Sequence, residues 1–261
     1  MTDLSTTFDT VAAEYDRWRP TYPQALYDDV FAACPQTDGR NALEIGIGTG
    51  QATRPVLDAG YAVCAVEQGE NMAAFSRKKF AAYRDFSVEV CRFEEYDAPP
   101  EQFDLIFSAT AFHWIPEEIG YKKVYALLKP GGVFARFANR PGPDTVHPGL
   151  HEAIQAVYDE FMPRPGKKVW FNEAKAAEIA AIPEAYGFAD CAYHLYRRTR
   201  DFTAAEYIRL LGTYSDHIAL GEEKLAHFNA GIEAAINRHG GVITIGDIVD
   251  LELAQRPRKT P

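Results

Sequence analysis

The chain has 261 residues, of which 47% are hydrophobic and 13% aromatic, enough to bury the core of one large domain or of one domain with a cap. Its formal net charge of -10 argues against nucleic acid as a partner, because polyanion binding depends on neutralising phosphates. The sequence starts without a basic and apolar leader, and no uncharged apolar stretch reaches about 18 residues. We therefore expect a soluble cytoplasmic protein with neither a nucleic-acid nor a membrane partner.

The metal-binding and disulfide-forming residue types are scattered. No C-x-x-C pair occurs among the four cysteines, which are Cys34, Cys64, Cys91 and Cys191. His147 and His151 have the spacing of a metal pair, but Pro148 and Gly149 lie between them and no acid cluster supports a site. The sequence predicts buried free thiols and no metal.

The first half of the chain alternates between helical and extended patterns. Apolar residues at helical spacing predict a helix from Phe8 to Trp18, and a second helix is expected from Pro23 to Ala33. Buried strands are predicted over residues 42–45, 61–66, 86–90, 103–108 and 132–137, with helices opening near residue 51 and over 71–83 and 117–128. Such alternation is typical of an α/β fold with a parallel sheet covered on both faces.

After Phe137 the rhythm changes. The patterns predict helices over residues 150–161, 173–182 and 222–238, and strands over 192–199 and 242–254. Thr203 and Glu206 form a capping-box pattern that predicts a helix start. The basic run Arg197–Arg200 is interpreted as the solvated end of a strand, with anion binding as the alternative. We expect one domain, with a core over 1–138 and a remainder over 139–261 that supplies a helical cap and closing strands.

The first strand runs into three alternating glycines, Gly46, Gly48 and Gly50. Glycines at this position let the backbone pass close to a ligand at the carboxyl edge of an open sheet. A dinucleotide fingerprint would need a third glycine or alanine where Gln51 stands. Glu44, at the strand exit, would repel a pyrophosphate but suits a ligand with an ammonium and a sulfonium. The pattern therefore favours S-adenosylmethionine over NAD.

Several motifs together resemble the class I S-adenosylmethionine-dependent methyltransferases, and within them the small-molecule branch that includes trans-aconitate methyltransferase. The similar segments are Leu43–Gly50, Glu67 with Met72, Phe103–Ser108, Phe112–Trp114, Leu127–Gly132 and Phe8–Pro23. The resemblance implies a Rossmann-like, seven-stranded and mostly parallel sheet with helices on both faces and its last strand antiparallel. Arg92 departs from the pattern, and no Asn/Asp-Pro-Pro-Tyr follows the fourth strand, which disfavours amide and adenine N-methyltransferases.

The resemblance also implies a set of binding residues. The glycines would contact the methionine portion, Glu67 the ribose, Phe93 and Glu94 the adenine, and the first helix would cover the methionine carboxylate. The predicted cofactor-binding residues are Tyr15, Arg19, Glu44, Gly46, Gly48, Gly50, Gln51, Glu67, Met72, Phe93, Glu94 and Ser108.

His113 is the predicted catalytic residue, as a base or substrate orienter, because it follows the fourth strand at the edge where a transferable methyl should sit. Predicted substrate contacts are Trp114, Tyr22, Trp170 and Tyr214. We expect a monomer or homodimer that methylates an oxygen, carboxylate or hydroxyl, of a small molecule. A non-catalytic binder of S-adenosylmethionine or S-adenosylhomocysteine and an NAD(P)-dependent oxidoreductase stay as alternatives.

Overall fold

A computed structural model describes residues 12–35, 40–163, 166 and 169–259. The predicted helix start at Phe8 lies outside these residues. The chain forms two compact units. The sheet unit contains Pro20–Asn139, Asn172–Tyr196 and Val249–Pro261, and the helical unit contains Met1–Arg19, Arg140–Phe171 and Arg197–Ile248.

Seven strands form one sheet with the order β3-β2-β1-β4-β5-β7-β6. They are β1 Arg40–Ile45, β2 Tyr61–Glu67, β3 Phe86–Val90, β4 Phe103–Ala109, β5 Leu128–Pro141, β6 Ala189–Thr203 and β7 Val242–Gln255. The pairs β1 with β2, β1 with β4, β2 with β3 and β4 with β5 are all parallel. The predicted sheet is confirmed, and the strand order reverses between β1 and β4.

The last strand, β7, runs antiparallel to β5. Gly131 N donates to Arg256 O near the start of β5, whereas Gly142 N donates to Gly246 O just beyond its end. The partner residue numbers thus fall as β5 advances, which is the pattern of an antiparallel pair. The predicted orientation of the closing strand is confirmed.

Each of the nine predicted helices is found near its expected place with shifts at its ends, and the short helix α9 was not predicted. Their bounds are α1 Ala12–Trp18, α2 Gln24–Ala33, α3 Thr53–Asp58, α4 Glu70–Lys79, α5 Glu117–Leu127, α6 Leu150–Phe161, α7 Glu173–Ala181, α8 Ala204–Leu211, α9 Ser215–Ile218 and α10 Glu222–Arg238. The helix after the glycines begins at Thr53 rather than near Gln51, because the glycine loop needs the intervening residues for its own turn. Among the described residues, no helix has the length and apolar character to cross a membrane.

Each unit has its own apolar core. In the sheet unit, one face of the sheet packs around Phe107 and Phe137 and the other around Phe134 and Tyr121. Strands β1 and β4 are buried on both faces, which explains their nearly continuous apolar sequences. In the helical unit, α10 packs its buried Phe228 and Ile232 in a core shared with α6 and α8. The sheet unit thus provides a rigid edge for a site at the carboxyl ends of its strands.

The basic run in β6 corrects one interpretation. Arg198 Nε lies 3.3 Å and Arg200 Nη2 lies 3.0 Å from the carboxylate of Asp247, which is 1% exposed. The prediction of a solvated strand end is wrong for these two arginines, because β7 places a buried acid beside them. A buried acid needs such partners to stay ionised.

The capping box at the start of α8 is present as predicted. Thr203 Oγ1 accepts from Glu206 N, and a Glu206 carboxylate oxygen accepts from Thr203 N at 2.9 Å. We expect Thr203→Ala to lower the free energy of unfolding by about 1 kcal/mol, because the helix loses its side-chain cap. Glu206→Gln is the control, since an amide oxygen still accepts from the Thr203 N–H. Urea unfolding measures both, and an equal loss in the two variants would contradict a specific role for the threonine.

Candidate cofactor and active site

The carboxyl ends of β1, β2 and β4 meet where the strand order reverses. In open α/β sheets, ligands bind in the crevice outside such a switch point. Here β1 ends in the glycine loop, residues 46–50, β2 ends at Glu67, and β4 leads into a 3-10 turn over Phe112–Trp114. All three segments belong to the sheet unit. The sequence therefore places its chemically informative residues at one edge.

The three glycines of the loop all have left-handed backbone angles, with φ of 71° at Gly46, 55° at Gly48 and 76° at Gly50. A Cβ on Gly46 would lie 2.5 Å from Ala111 Cβ, and one on Gly50 would lie 2.3 Å from the Phe80 ring. Glycine is therefore required at both positions by close packing inside the protein. This requirement holds whether or not a ligand is bound.

The N–H groups of these glycines are used within the protein. Gly46 N donates to Val66 O at 2.9 Å, Gly48 N to Glu67 Oε2 at 2.8 Å, and Gly50 N to Ile47 O at 2.9 Å. A phosphate-binding loop works by presenting such N–H groups to its anion. This loop is therefore built for a ligand without a phosphate at that point.

Glu67 connects the loops that follow β1 and β2. One carboxylate oxygen accepts from Gly48 N at 2.8 Å and the other accepts from Gly69 N at 2.9 Å. These bonds fix the direction of the carboxylate, and a carboxylate oxygen has room for a second donor. The geometry is suited to accepting hydrogen bonds from a pair of ligand hydroxyls.

Helix α4 fixes the carbonyl side of the loop through two residues that the sequence analysis missed. Ser76 Oγ donates to Gly48 O at 2.7 Å, and Lys79 Nζ donates to Thr49 O at 2.9 Å. Met72, predicted at the cofactor, is 2% exposed on the same helix. Positions 72, 76 and 79 share one helical face, and that spacing is the signal that would have found them.

Glu44 is buried beneath the loop with 1% of its surface exposed. Burial raises the pKa of Glu44 to about 8, and the hydrogen bond from Thr53 Oγ1, 2.6 Å away, opposes this rise. The charge of Glu67 adds to the increase, while Lys79 counters it. Because α3 begins at Thr53, this hydrogen bond links Glu44 to the start of that helix. Direct contact of Glu44 with a cofactor stays a prediction. Gln51 Nε2 donates to Thr49 Oγ1 at 2.7 Å within the loop.

The end of β4 is tied to its neighbours by side chains. Ser108 Oγ donates to Ile45 O at 2.9 Å, which joins β4 to β1 at the switch point. Thr110 has φ of 56°, a strained angle for a β-branched residue, and its Oγ1 lies 2.8 Å from Tyr22 Oη. No sequence signal pointed to Thr110, because the strain comes from the turn that β4 must make there.

His113 and Trp114 lie just beyond this strained turn. Both side chains are exposed, Trp114 to 42%, and their ring centroids are 4.9 Å apart. Phe112, between them and the strand, is buried and anchors the turn. The structure thus presents an imidazole and an indole at the carboxyl edge, as predicted from the sequence.

The predicted adenine contacts follow β3. Phe93 is 4% exposed, and Lys123 Nζ lies 5.3 Å from its ring centroid. Lys123 also donates to Glu94 O at 3.0 Å, and Arg92 lies 3.7 Å from the Glu94 carboxylate. The ion pair gives Arg92, the departure from the family pattern, a local structural role.

The remaining predicted contacts lie in the helical unit. The Arg19 guanidinium lies 4.8 Å from the Tyr15 ring centroid and 4.1 Å from that of Tyr214. It also donates to Thr213 O at 2.7 Å. Trp170 and Tyr214 both line a cavity of this unit. Within the described ranges, no group of three or more metal-ligating side chains occurs, and His147 instead lies 2.8 Å from Asp144.

We expect Gly46→Ala to destabilise the protein more than Gly60→Ala. Both glycines have left-handed angles, φ of 71° and 83°, so both variants are strained by about 1 kcal/mol or more. Only at Gly46 does the new methyl collide with Ala111, since nothing lies within 4 Å of a Cβ on Gly60. Urea unfolding compares the two, and equal losses would show that packing at Gly46 is loose.

The raised pKa of Glu44 predicts a pH dependence of stability. The folded protein holds a proton on Glu44 between its ordinary value of 4.5 and about 8, whereas the unfolded chain loses it. The free energy of unfolding therefore falls as pH rises through this window. Glu44→Gln removes that contribution, so the variant should gain stability relative to wild type from pH 5 to pH 8.5, measured by urea unfolding. Parallel curves would contradict a buried, protonated Glu44.

Comparison with known proteins agrees with this geometry. The model of a methyltransferase domain family matches residues 43–134, which contain the glycine loop, Glu67 and β4. An uncharacterized methyltransferase of Schizosaccharomyces pombe is 27% identical, over 89% of this chain and 88% of its own. A methyltransferase-like protein of the same yeast is 29% identical, over 87% of this chain and 84% of its own.

Solved structures support the same fold. A putative type II methyltransferase from Anaeromyxobacter dehalogenans superimposes with a TM-score of 0.65 at 21% identity, over 92% of this chain and 99% of that one. Phosphoethanolamine N-methyltransferase 2 of Haemonchus contortus, solved with S-adenosyl-L-methionine, gives 0.54 at 18% identity, over 96% of this chain and 57% of that one. Residues 43–134, which hold the glycine loop and the acid after β2, thus match a methyltransferase domain, and with its 3-2-1-4-5-7-6 sheet the chain is similar over most of its length to S-adenosylmethionine-dependent methyltransferases.

Proposed function

We propose that this enzyme methylates an oxygen atom, a hydroxyl or a carboxylate, of a small molecule. The observation that carries the proposal is the turn Phe112–Trp114 after the carboxyl end of β4, in which His113 and Trp114 are exposed. It lies in the same unit as the glycine loop and ends in an imidazole and an indole. A base and an aromatic wall are what a hydroxyl acceptor with an apolar body requires.

The cofactor roles follow from the local geometry. The glycine loop, whose N–H groups already donate within the protein, would pack its backbone against the methionine portion. Glu67 would accept from both ribose hydroxyls, since Gly48 N and Gly69 N hold its carboxylate in one orientation. Met72 and Phe93, both buried, would pack against the adenine. Tyr15 and Arg19 would contact the methionine carboxylate, where a guanidinium matches the charge.

Bound S-adenosylmethionine supplies a methyl group that a sulfonium has already activated. The residues of the chain therefore need to orient the acceptor and exclude water, and orientation contributes about 7–11 kcal/mol in well-aligned systems. A carboxylate acceptor attacks without losing a proton. A hydroxyl acceptor must lose one, and His113 is the exposed base at this edge.

The net charge of the chain bears on the class of the acceptor. A net charge of -10 disfavours a polyanion as the acceptor. The Haemonchus enzyme named above acts on a small amine, as its name states. A nitrogen acceptor is therefore the rival result that an experiment must be able to detect.

Substitution of His113 separates the two oxygen chemistries. His113→Ala should lower kcat by about 100-fold on hydroxyl acceptors, because the proton has no base to receive it. The same variant should leave carboxylate acceptors within about threefold. Transfer of labelled methyl from S-adenosylmethionine into matched panels of phenols, carboxylates and primary amines measures this.

His194→Ala is the matched control, since His194 is also exposed, at 43%, and its Nδ1 lies 3.5 Å from Asp29. It should not change either activity. Equal turnover of hydroxyl acceptors by wild type and His113→Ala would remove His113 from the mechanism. Label in the amines alone would overturn the proposed oxygen acceptor.

A further inference from the structure

The helical unit contains a cavity of about 110 Å³. Its size is of the same order as the roughly 150 Å³ cavity that holds benzene in an engineered protein. Aliphatic side chains from α6, α8 and β7 form much of its lining. Its aromatic lining residues are Tyr158, Trp170, Tyr207 and Tyr214. The cavity is therefore the size of one ring and has both apolar and polar groups in its lining.

The arginine and the aspartate that line this cavity are neutralised inside the unit. Arg200 forms a two-pronged pair with Asp247, whose side chain is fully buried. Asp144, 5% exposed, accepts from three backbone N–H groups and lies 2.8 Å from His147 Nδ1. A carboxylate ligand would lose its hydration in this cavity, and the Arg200 guanidinium is already paired with Asp247. The cavity therefore disfavours an anion.

Two phenol groups of the lining carry the polar recognition. The hydroxyls of Tyr207 and Tyr214 have no hydrogen-bond partner among the residues that the structure describes. Burial raises the pKa of both tyrosines, and the neighbouring Tyr214 adds to the rise for Tyr207, so both keep their protons and act as donors. Because neither hydroxyl donates within the described part of the chain, both can donate to an oxygen with lone pairs that enters the cavity.

Tyr158 differs from these two, because its hydroxyl lies 2.9 Å from His217 Nε2. His217 is 3% exposed, and its Nδ1 lies 2.8 Å from Asp216. A carboxylate only accepts, so Nδ1 carries a proton toward Asp216, and Nε2 shares a hydrogen bond with the Tyr158 hydroxyl. Tyr158 is thereby fixed as a rigid wall of the cavity.

We propose that this cavity binds an uncharged, ring-sized group that bears a neutral oxygen, with Tyr207 and Tyr214 as its hydrogen-bond donors. The inference goes beyond the proposed function, because it concerns a cavity of the helical unit alone and does not depend on which acceptor is methylated. It selects a neutral hydroxylated ring over a carboxylate as the occupant. Arg19, 4.1 Å from the Tyr214 ring centroid, holds that ring in place.

Calorimetric titration of the full chain, saturated with S-adenosylhomocysteine, tests this without methyl transfer. The probes are phenol, toluene and benzoate, which share a ring and differ in polarity and charge. Phenol should bind about threefold to tenfold more tightly than toluene, as one or two hydrogen bonds allow, and benzoate should bind more weakly than both. Stronger binding of benzoate, equal binding of phenol and toluene, or no binding of any probe would overturn the inference.

Ring-preserving variants locate the site. Tyr207→Phe and Tyr214→Phe should each lower the affinity for phenol, and the double variant should lower it to that for toluene. Affinity for toluene should be unchanged, which also shows that the cavity is intact. Tyr193→Phe is the control, because Tyr193 lies in the sheet unit with its hydroxyl 3.3 Å from Glu173. Unchanged phenol affinity in both cavity variants would contradict the assignment. Phenol binding that follows this pattern supports the cavity whether or not phenol is methylated, so the inference and the proposed function can fail separately.

Discussion

The hydrogen bonds of the Glu67 carboxylate connect the two loops on which the site depends. One of its oxygens accepts from Gly48 N after β1, and the other from Gly69 N at the start of α4. Ser76 and Lys79 of the same helix donate hydrogen bonds to backbone carbonyls of the glycine loop. The loop is thus held on its N–H side and on its carbonyl side by protein groups. A preformed loop of this kind loses little conformational entropy when a ligand binds.

The internal hydrogen bonds of the glycine N–H groups also explain why the loop suits a ligand without a phosphate. An N–H that already donates to Val66 O or Ile47 O is not available to a phosphate, so the glycines serve shape rather than anion binding. Glycine at 46 and 50 is needed because Ala111 and Phe80 approach where a Cβ would stand. The pattern of alternating glycines therefore records packing between the first and fourth strand ends as much as contact with a cofactor.

The acidic and basic side chains of the two units have different kinds of partner. The sheet unit keeps Glu67 aimed by backbone donors and Glu44 buried and protonated near neutral pH. The helical unit pairs Arg200 with Asp247 and saturates Asp144 with backbone N–H groups. The first arrangement suits a ligand with hydroxyls, because the Glu67 carboxylate can accept from them. The second leaves a cavity that has aromatic side chains in its lining and whose Arg200 is paired with a buried acid.

The sequence by itself determined the α/β class, most element positions, the capping box at Thr203, and the glycines, Glu67 and His113 at one sheet edge. These follow from periodicity and from local rules, which depend only on neighbouring residues. Only the tertiary structure decided the contacts between residues that lie far apart in the chain. Lys79 and Ser76 hold the glycine loop, and Asp247 forms ion pairs with Arg198 and Arg200. The strain at Thr110 also became visible only there. Such contacts depend on which strands and helices become neighbours, and no local pattern encodes that.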